Sequence, residues 1–525
     1  VRWIALSLVA LAGTRLGAQD ASSQLPRWSP LQARADLPRF LPSSFSDASP
    51  AWARSLESGL FWTAGNPAAL AWEVPPSRSD YRLTRANEQG EYRRPLDAPQ
   101  TQFTRASASA QQPLTASSGV IGNILAESRT LGPGPRVDQA EANGSSPLVL
   151  VDTALAAMRS TTARLQGAGG WHVGRWAAGI SAGYETRELH TENDGFVRRI
   201  RAVIPGAIVG VARLIAGRLD LTLGAHAGLR RMAETGDFVN EFARGRLFQL
   251  RGYRDVAPID VSTFYYQRFE ERTRFAGAEL AGRLFGARWV AGAEKASRHE
   301  ATWHATASDN PLTDRWAADG WTYRASGERR VGDRTVVTVH GRTSTLAGAL
   351  MMSDESIGPS FDAHERLSEI QVGVRMQVST QLGSVTSLSL RDEQRTRDDH
   401  AVNIRTDLAA SEPTIGQSFY YAVTPRTSII AGVTASWYRS RGSLPEPFAR
   451  GTVYQTYVAP ELALYASPAN ALTSHAEVRW RTWGAAVAWL AVESGAVSPT
   501  VTSSLALRPD GRRSNSIVSL GVSVE

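Results

Sequence analysis

Two stretches of the sequence carry residues that could do metal or acid–base chemistry. The first is His299-Glu300-Ala301-Thr302-Trp303-His304. A zinc-binding His-Glu-x-x-His helix needs its second histidine four residues after the first, so that both rings share one face. Here that position is Trp303, and on a strand the odd spacing of His299 and His304 sends the two rings to opposite faces. The second is Arg397-Asp398-Asp399-His400, an acidic run beside a histidine of the kind some proteases use. It sits in one loop and lacks a partner pair at a defined spacing. No Gly-rich phosphate loop ending in Lys-Ser/Thr is present. The chain has no cysteine, which excludes disulfides and thiolate metal sites. The expectation is a protein that is not an enzyme and needs no metal or cofactor.

What the polar residues do show is period two. Leu219 to Arg230 read LDLTLGAHAGLR, with Leu219, Leu221, Leu223, Ala225, Ala227 and Leu229 on one face of a strand and Asp220, Thr222, His226 and Arg230 on the other. Residues 369–379, 429–438 and 518–525 alternate as cleanly. If the apolar row meets lipid, the polar row lines a lumen. Asp220, Thr222, His226, Arg230, Glu279, Arg283, Glu369 and Arg375 are then the lumen-lining candidates.

From about Asp80 to the end, alternating segments follow one another with no linker. Short turns fall at 215–217, 285–287, 331–333, 381–383, 424–426 and 467–470. Longer polar connections fall at 188–196, 233–269, 305–314, 352–365, 396–415 and 442–452. Short and long connections alternate, as they do in outer-membrane barrels with short periplasmic turns and long outer loops. Trp176, Trp289, Trp321, Tyr323, Tyr420, Trp437, Trp480 and Trp489 lie in or at the ends of strands, where interfacial girdles would put them. No apolar run reaches the roughly 20 residues of a spanning helix. The fold expected is all-β: a closed antiparallel transmembrane β-barrel of about 14–18 strands, with 16 favoured. The alternative is a soluble secreted β-rich binding or adhesion protein.

The net charge of +7 comes from arginine, since Lys295 is the only lysine. The arginines are scattered along the strands without a basic cluster, so no nucleic-acid partner is expected. The N-terminus, VRWIALSLVALAGTRLGAQD, has a basic residue, an apolar stretch and small residues before a polar segment, the pattern of a signal peptide over 1–18. Residues 19–75 form a Pro/Ser-rich N-terminal segment with a plug-like end, where Asn66-Pro67 can open a short helix at Ala68. Residues 76–525 form the barrel. The expected location is the bacterial outer membrane, with its lipid as one partner.

Two resemblances add to this reading. Gly65 to Trp72, GNPAALAW, resembles the Asn-Pro-Ala element near the mature N-terminus of FadL-type transporters of hydrophobic compounds, where that region belongs to a plug. The resemblance makes Asn66, Pro67 and Ala68 the plug candidates. A second resemblance runs through Ser146–Asp152, Gly167–Trp171, Trp176–Thr186, Arg246–Tyr253 and Phe264–Arg268. In their order, these are similar to an uncharacterised outer-membrane β-barrel family known mainly from Bacteroidota. It implies passage or uptake of an unknown small solute or hydrophobic compound, as an accessory to a nutrient-uptake receptor complex.

Overall fold

The computed structural model describes residues 66–71, 77–91 and 98–524, apart from 135, 138–147, 153–156, 192–197, 217–219, 239–246, 252–256, 259–264, 306–311, 353–358, 380, 401–402, 444–458, 466, 483–485 and 501–510. The signal-peptide segment and Leu219 lie outside the described residues. A 3-10 turn, η1 (Pro67–Ala71), comes first, followed by β1 (Arg78–Gly90), β2 (Gln100–Thr115) and β3 (Ser118–Leu131). Next come β4 (Arg136–Val137), β5 (Leu148–Asp152), β6 (Met158–Val173), β7 (Trp176–Thr191), β8 (Arg198–Ala216) and β9 (Leu221–Phe238). β10 (Leu247–Arg251), β11 (Ala257–Pro258), β12 (Tyr265–Leu284), β13 (Ala287–Ala305), β14 (Leu312–Val331) and β15 (Thr335–Met352) continue the chain. It ends with β16 (Phe361–Gln377), β17 (Leu382–Asp399), β18 (Ile404–Ala422), β19 (Thr427–Ser443), α1 (Ala459–Tyr465), β20 (Ala469–Arg481), β21 (Ala486–Pro499) and β22 (Arg513–Val524).

Eighteen of these strands form one antiparallel sheet, which closes where β1 pairs with β22, Ser79 opposite Val524 and Gly90 opposite Arg513. Closure leaves no sheet edge, the condition for backbone to cross lipid. The strand number is 18 rather than the favoured 16. The other four strands, β4, β5, β10 and β11, pair into a small sheet within the two long connections that leave β3 and β9.

The connections are sorted by end. Tight turns join β2–β3, β6–β7, β8–β9, β12–β13, β14–β15, β16–β17, β18–β19 and β20–β21, and the ends of β1 and β22 lie beside them. This is the periplasmic end. Two expected connections change. Residues 467–470 belong to the opposite end, as the last part of the long connection that carries α1. The segment 396–415 is no long loop, because β17 runs to Asp399 and β18 restarts at Ile404. Its outward row is polar, with Thr396, Asp398, Arg405, Asp407 and Ser411, and a strand without an apolar outward row reads as a loop where it in fact stands above the membrane.

The outward rows explain why this sheet belongs in lipid. On β9, Leu223 and Leu229 are exposed with Ala225 and Ala227 between them, while Thr222, His226 and Arg230 on the other face are buried. Trp176, Ile180, Val209, Val211, Leu388, Leu390, Ile415, Leu472 and Leu520 repeat the pattern around the barrel. A water-soluble protein would hide this row, so the soluble alternative is set aside: the chain is an outer-membrane β-barrel. Trp176, Trp289, Tyr420, Trp480 and Trp489 sit toward the tight-turn end, Trp321 and Tyr323 near the middle of β14, and Trp437 nearer the outer end of β19.

Depth decides the cost of a charge on this row. Leu223 stands close to the β8–β9 turn, whereas Ala227 lies at mid-belt. An arginine at Ala227 is expected to cost about 2–4 kcal/mol, and one at Leu223 about 0–1 kcal/mol. Unfolding of the two variants in lipid bilayers, compared with wild type, measures both.

Candidate functional site

The interior is built around η1. Asn66-Pro67-Ala68-Ala69 has the residues a helix start requires: Asn as N-cap and Pro at the first helical position. The Ala68 amide donates to Asn66 Oδ1 at 2.9 Å, and the Ala69 amide to the Asn66 carbonyl at 3.2 Å. Asn66 Nδ2 donates to the carbonyls of Val211 at 3.1 Å and Ala225 at 3.3 Å, which ties the turn to β8 and β9. Leu70 packs on Ile121 and Ala168, and Ala68 and Ala71 on Ala177 and Ala212.

The wall under η1 is made of glycine. Gly119, Gly170, Gly179 and Gly210 stand opposite one another on β3, β6, β7 and β8. A Cβ on Gly170 would lie 2.7 Å from the Pro67 carbonyl oxygen, one on Gly179 2.3 Å from the Pro67 carbonyl carbon, and one on Gly210 2.0 Å from Asn66 Oδ1. Gly224, on β9, would bring a Cβ to 2.8 Å from Asn66 Nδ2. Only glycine lets the two backbones approach this closely.

The same row continues through His226 on β9, Gly277 on β12 and Glu294 on β13. The His226 ring lies over Gly277, whose Cβ would fall 2.6 Å from His226 Cε1. Nδ1 of His226 is 3.0 Å from Glu279 Oε2, and Nε2 is 3.0 Å from Glu294 Oε2. All three side chains are buried. Arg324 Nη2 lies 3.5 Å from the other oxygen of Glu294. The ring thus bridges two carboxylates on neighbouring strands, directly beside the Asn66 end of η1.

Toward the outer mouth the lining becomes arginine–glutamate–arginine clamps. Glu127 is held by Arg105 at 2.6 Å and Arg129 at 2.7 Å. Glu185 is held by Arg164 at 2.6 Å and Arg187 at 2.5 Å. Glu271 is held by Arg230 at 2.8 Å and Arg298 at 2.9 Å, with Thr273 donating at 3.0 Å. On the far wall Glu365 meets Arg397 at 2.9 Å, and Glu393 pairs with Arg395. Charge-assisted pairs of this kind keep ionised groups tolerable in a confined interior.

Of the residues singled out by sequence, Thr222, His226, Arg230 and Glu279 come together on the inward face of β9 and β12. Glu369 and Arg375 lie on the inward-facing row of β16, exposed and on another wall. Asp220 and Arg283 stand apart from this group. Asp220 is in the β8–β9 turn at φ 46°, and its carboxylate pairs with Arg283 Nε at 2.9 Å on the rim, with both side chains more than half exposed. Glu294, Glu271, Arg298 and the four glycines were not singled out; inward parity and equal height in the sheet are the signals that identify them. The pattern Gly179-Ile180-Ser181-Ala182-Gly183 matches Gly-x-Ser-x-Gly, but it lies in the middle of β7, where no strand-to-helix elbow can present Ser181. His299 faces outward on β13, and the strand continues to Ala305.

His400 stands at the outer turn between β17 and β18. Its Nε2 is 2.8 Å from Asp362 Oδ2 and its Nδ1 is 3.8 Å from Asp398. The hydrogen bond to Asp362, helped by Asp398 and Asp399, raises its pKa above the usual histidine value. The folded state therefore favours the imidazolium. The stabilisation is full below the unfolded pKa and disappears as pH rises through the folded one. Titration of His400 by NMR should show this upward shift, and Asp362→Asn should lower the midpoint.

No curated protein matches the chain. Among solved structures it is similar to the ferric preacinetobactin receptor BauA of Acinetobacter baumannii, at 9% identity over 86% of this chain and 84% of that one, with a TM-score of 0.38. It is also similar to the outer membrane transporter YddB of Escherichia coli, at 10% identity over 85% and 80%, with a TM-score of 0.37. A TodX monoaromatic hydrocarbon channel deltaS2 mutant matches at 10% identity over 88% and 92%, with a TM-score of 0.28. Similarities this distant carry no argument about function. The sequence profile of a family of unknown function, DUF6850, matches residues 67–524, from the first residue of η1 to the last residue of β22, and the chain belongs to that family.

Proposed function

We propose that the barrel passes a small polar solute across the outer membrane and that residues 66–71 are a plug that must leave the wall for passage. The observation that carries the proposal is the seat: a turn of small residues lies in the interior on glycines of adjacent strands, so it is held by contact and two side-chain hydrogen bonds rather than by the sheet. Such an element can detach without breaking a strand. On this reading the plug-like end of the 19–75 segment is this turn.

The lining favours a polar solute over a hydrophobic compound. Above the seat the inward rows carry the paired charges of Arg230, Glu271, Arg298, Glu127 and Glu185 rather than apolar side chains, and an apolar ligand has no polar groups to offer them. A role beside an uptake receptor belongs to the same proposal, since a plugged barrel needs a trigger to open. Liposomes carrying a Gly210→Val barrel, in which the seat of Asn66 is filled, test the solute class. Arabinose and small zwitterions should enter through the protein. Entry of an apolar alcohol only, at rates above protein-free liposomes, would contradict the polar route.

A further inference from the structure

The outward face carries one patch that lipid chains do not explain. Along β9 the exposed row runs Leu223, Ala225, Ala227, Leu229 and then Arg231. On β12 it runs Leu280, Ala278, Ala276 and then Arg274 and Arg272; on β13 it runs Ala291, Ala293 and then Lys295 and His299. Leu223 to Arg231 climbs roughly 20 Å at about 3.3 Å per residue and a tilt near 40°, so the basic residues begin at the outer border of an apolar belt about 25 Å tall.

The register stacks like charges. Arg231 is directly opposite Arg272, and Arg272 directly opposite His299. Arg274 stands opposite Leu229 and Ser297, and Lys295 opposite Ala276. Facing cationic side chains destabilise a sheet unless something neutralises them. Some arginines of the barrel exterior have carboxylates: Arg199 and Arg201 share Glu188, Arg268 has Glu270, and Arg405 has Asp407. Arg231, Arg272 and Arg274 form no ion pair with a described residue. Glu270 and Asp319 are the acids that face the same side on adjoining positions; Glu270 is taken by Arg268, and Asp319 lies opposite Ser297.

We infer that Arg231, Arg272 and Arg274, with Lys295 and His299 beside them, bind the phosphate of a phosphorylated lipid head group in the outer leaflet. Guanidinium groups match phosphate bidentately, and an anion between Arg231 and Arg272 removes their repulsion. The acyl chains would lie on the alanine-rich belt just below, where Ala225, Ala227, Ala276, Ala278, Ala291 and Ala293 leave a shallow surface.

Native mass spectrometry of the full-length barrel in detergent, with added bis-phosphorylated lipid A, tests this. Wild type should retain the lipid, and R231Q/R272Q/R274Q should weaken retention by at least about tenfold. R366Q, an exposed outward arginine on β16, should retain it like wild type. Dephosphorylated lipid A should bind wild type no better than the triple variant does. Inorganic phosphate at equal concentration should fail to displace the lipid; displacement would show a free-anion site and overturn the lipid assignment. Equal retention by wild type and triple variant, or equal retention of the two lipids by wild type, would also overturn it. If the triple variant yields no heat-modifiable barrel, R272Q alone and the two-lipid comparison on wild type decide.

Discussion

Gly179→Val is expected to drive residues 67–71 off the barrel wall while leaving the barrel closed. The added Cβ would stand 2.3 Å from the Pro67 carbonyl carbon and 2.5 Å from the Ala68 nitrogen. Both are backbone atoms, so no side-chain rotation relieves the clash, and among the described residues η1 is the partner of that face that can move without tearing a strand. The chain has no cysteine, so Ala68→Cys provides a single reporter at a position that is 0% exposed. Maleimide labelling of Cys at this position should accelerate by more than about tenfold in the valine background. Heat-modifiable migration should be retained in both. Continued protection would mean that the wall, not the turn, gives way.

His226→Leu is expected to be the most destabilising single change in the interior. It leaves Glu279 and Glu294 buried on adjacent strands without the ring that bridges them at 3.0 Å on each side. Removing one member of a buried charge cluster costs about 3–5 kcal/mol, because its partners stay buried and uncompensated. Urea unfolding in micelles should show that loss. Adding Glu279→Gln and Glu294→Gln to the leucine variant should recover part of it, since the remaining groups are then neutral. An unchanged midpoint in the single variant would show that the two carboxylates find other partners.

The architecture was legible because each crossing strand states its two environments residue by residue. Leu223 to Arg230 alternates without an error, and strands such as β16 and β19 do the same. Where a strand leaves the membrane its outward row becomes polar and the signal ends, which is why 396–415 reads as a loop and is instead a hairpin. Alternation also tells face but not height. Asp220 has the parity of His226, yet it sits in a turn on the rim.

The site was legible only in part for a related reason. Asn66-Pro67 marks a helix start in the sequence, and its small neighbours suit an enclosed space. The surface that receives it is spread over Gly170, Gly179 and Gly210, each an ordinary strand glycine by itself. They become one feature through the register of β6, β7 and β8, a long-range property that no local pattern contains. Glu294 was missed likewise: it reaches His226 across β12, where Gly277 leaves room for the ring.

The central claim is that η1 closes the lumen. Solute flux into liposomes carrying equal numbers of wild-type and Gly179→Val barrels measures it directly, with arabinose as the solute. The account predicts wild-type liposomes that swell little above protein-free ones and valine-variant liposomes that swell fast. Equal rates in the two, whether both fast or both slow, would contradict it.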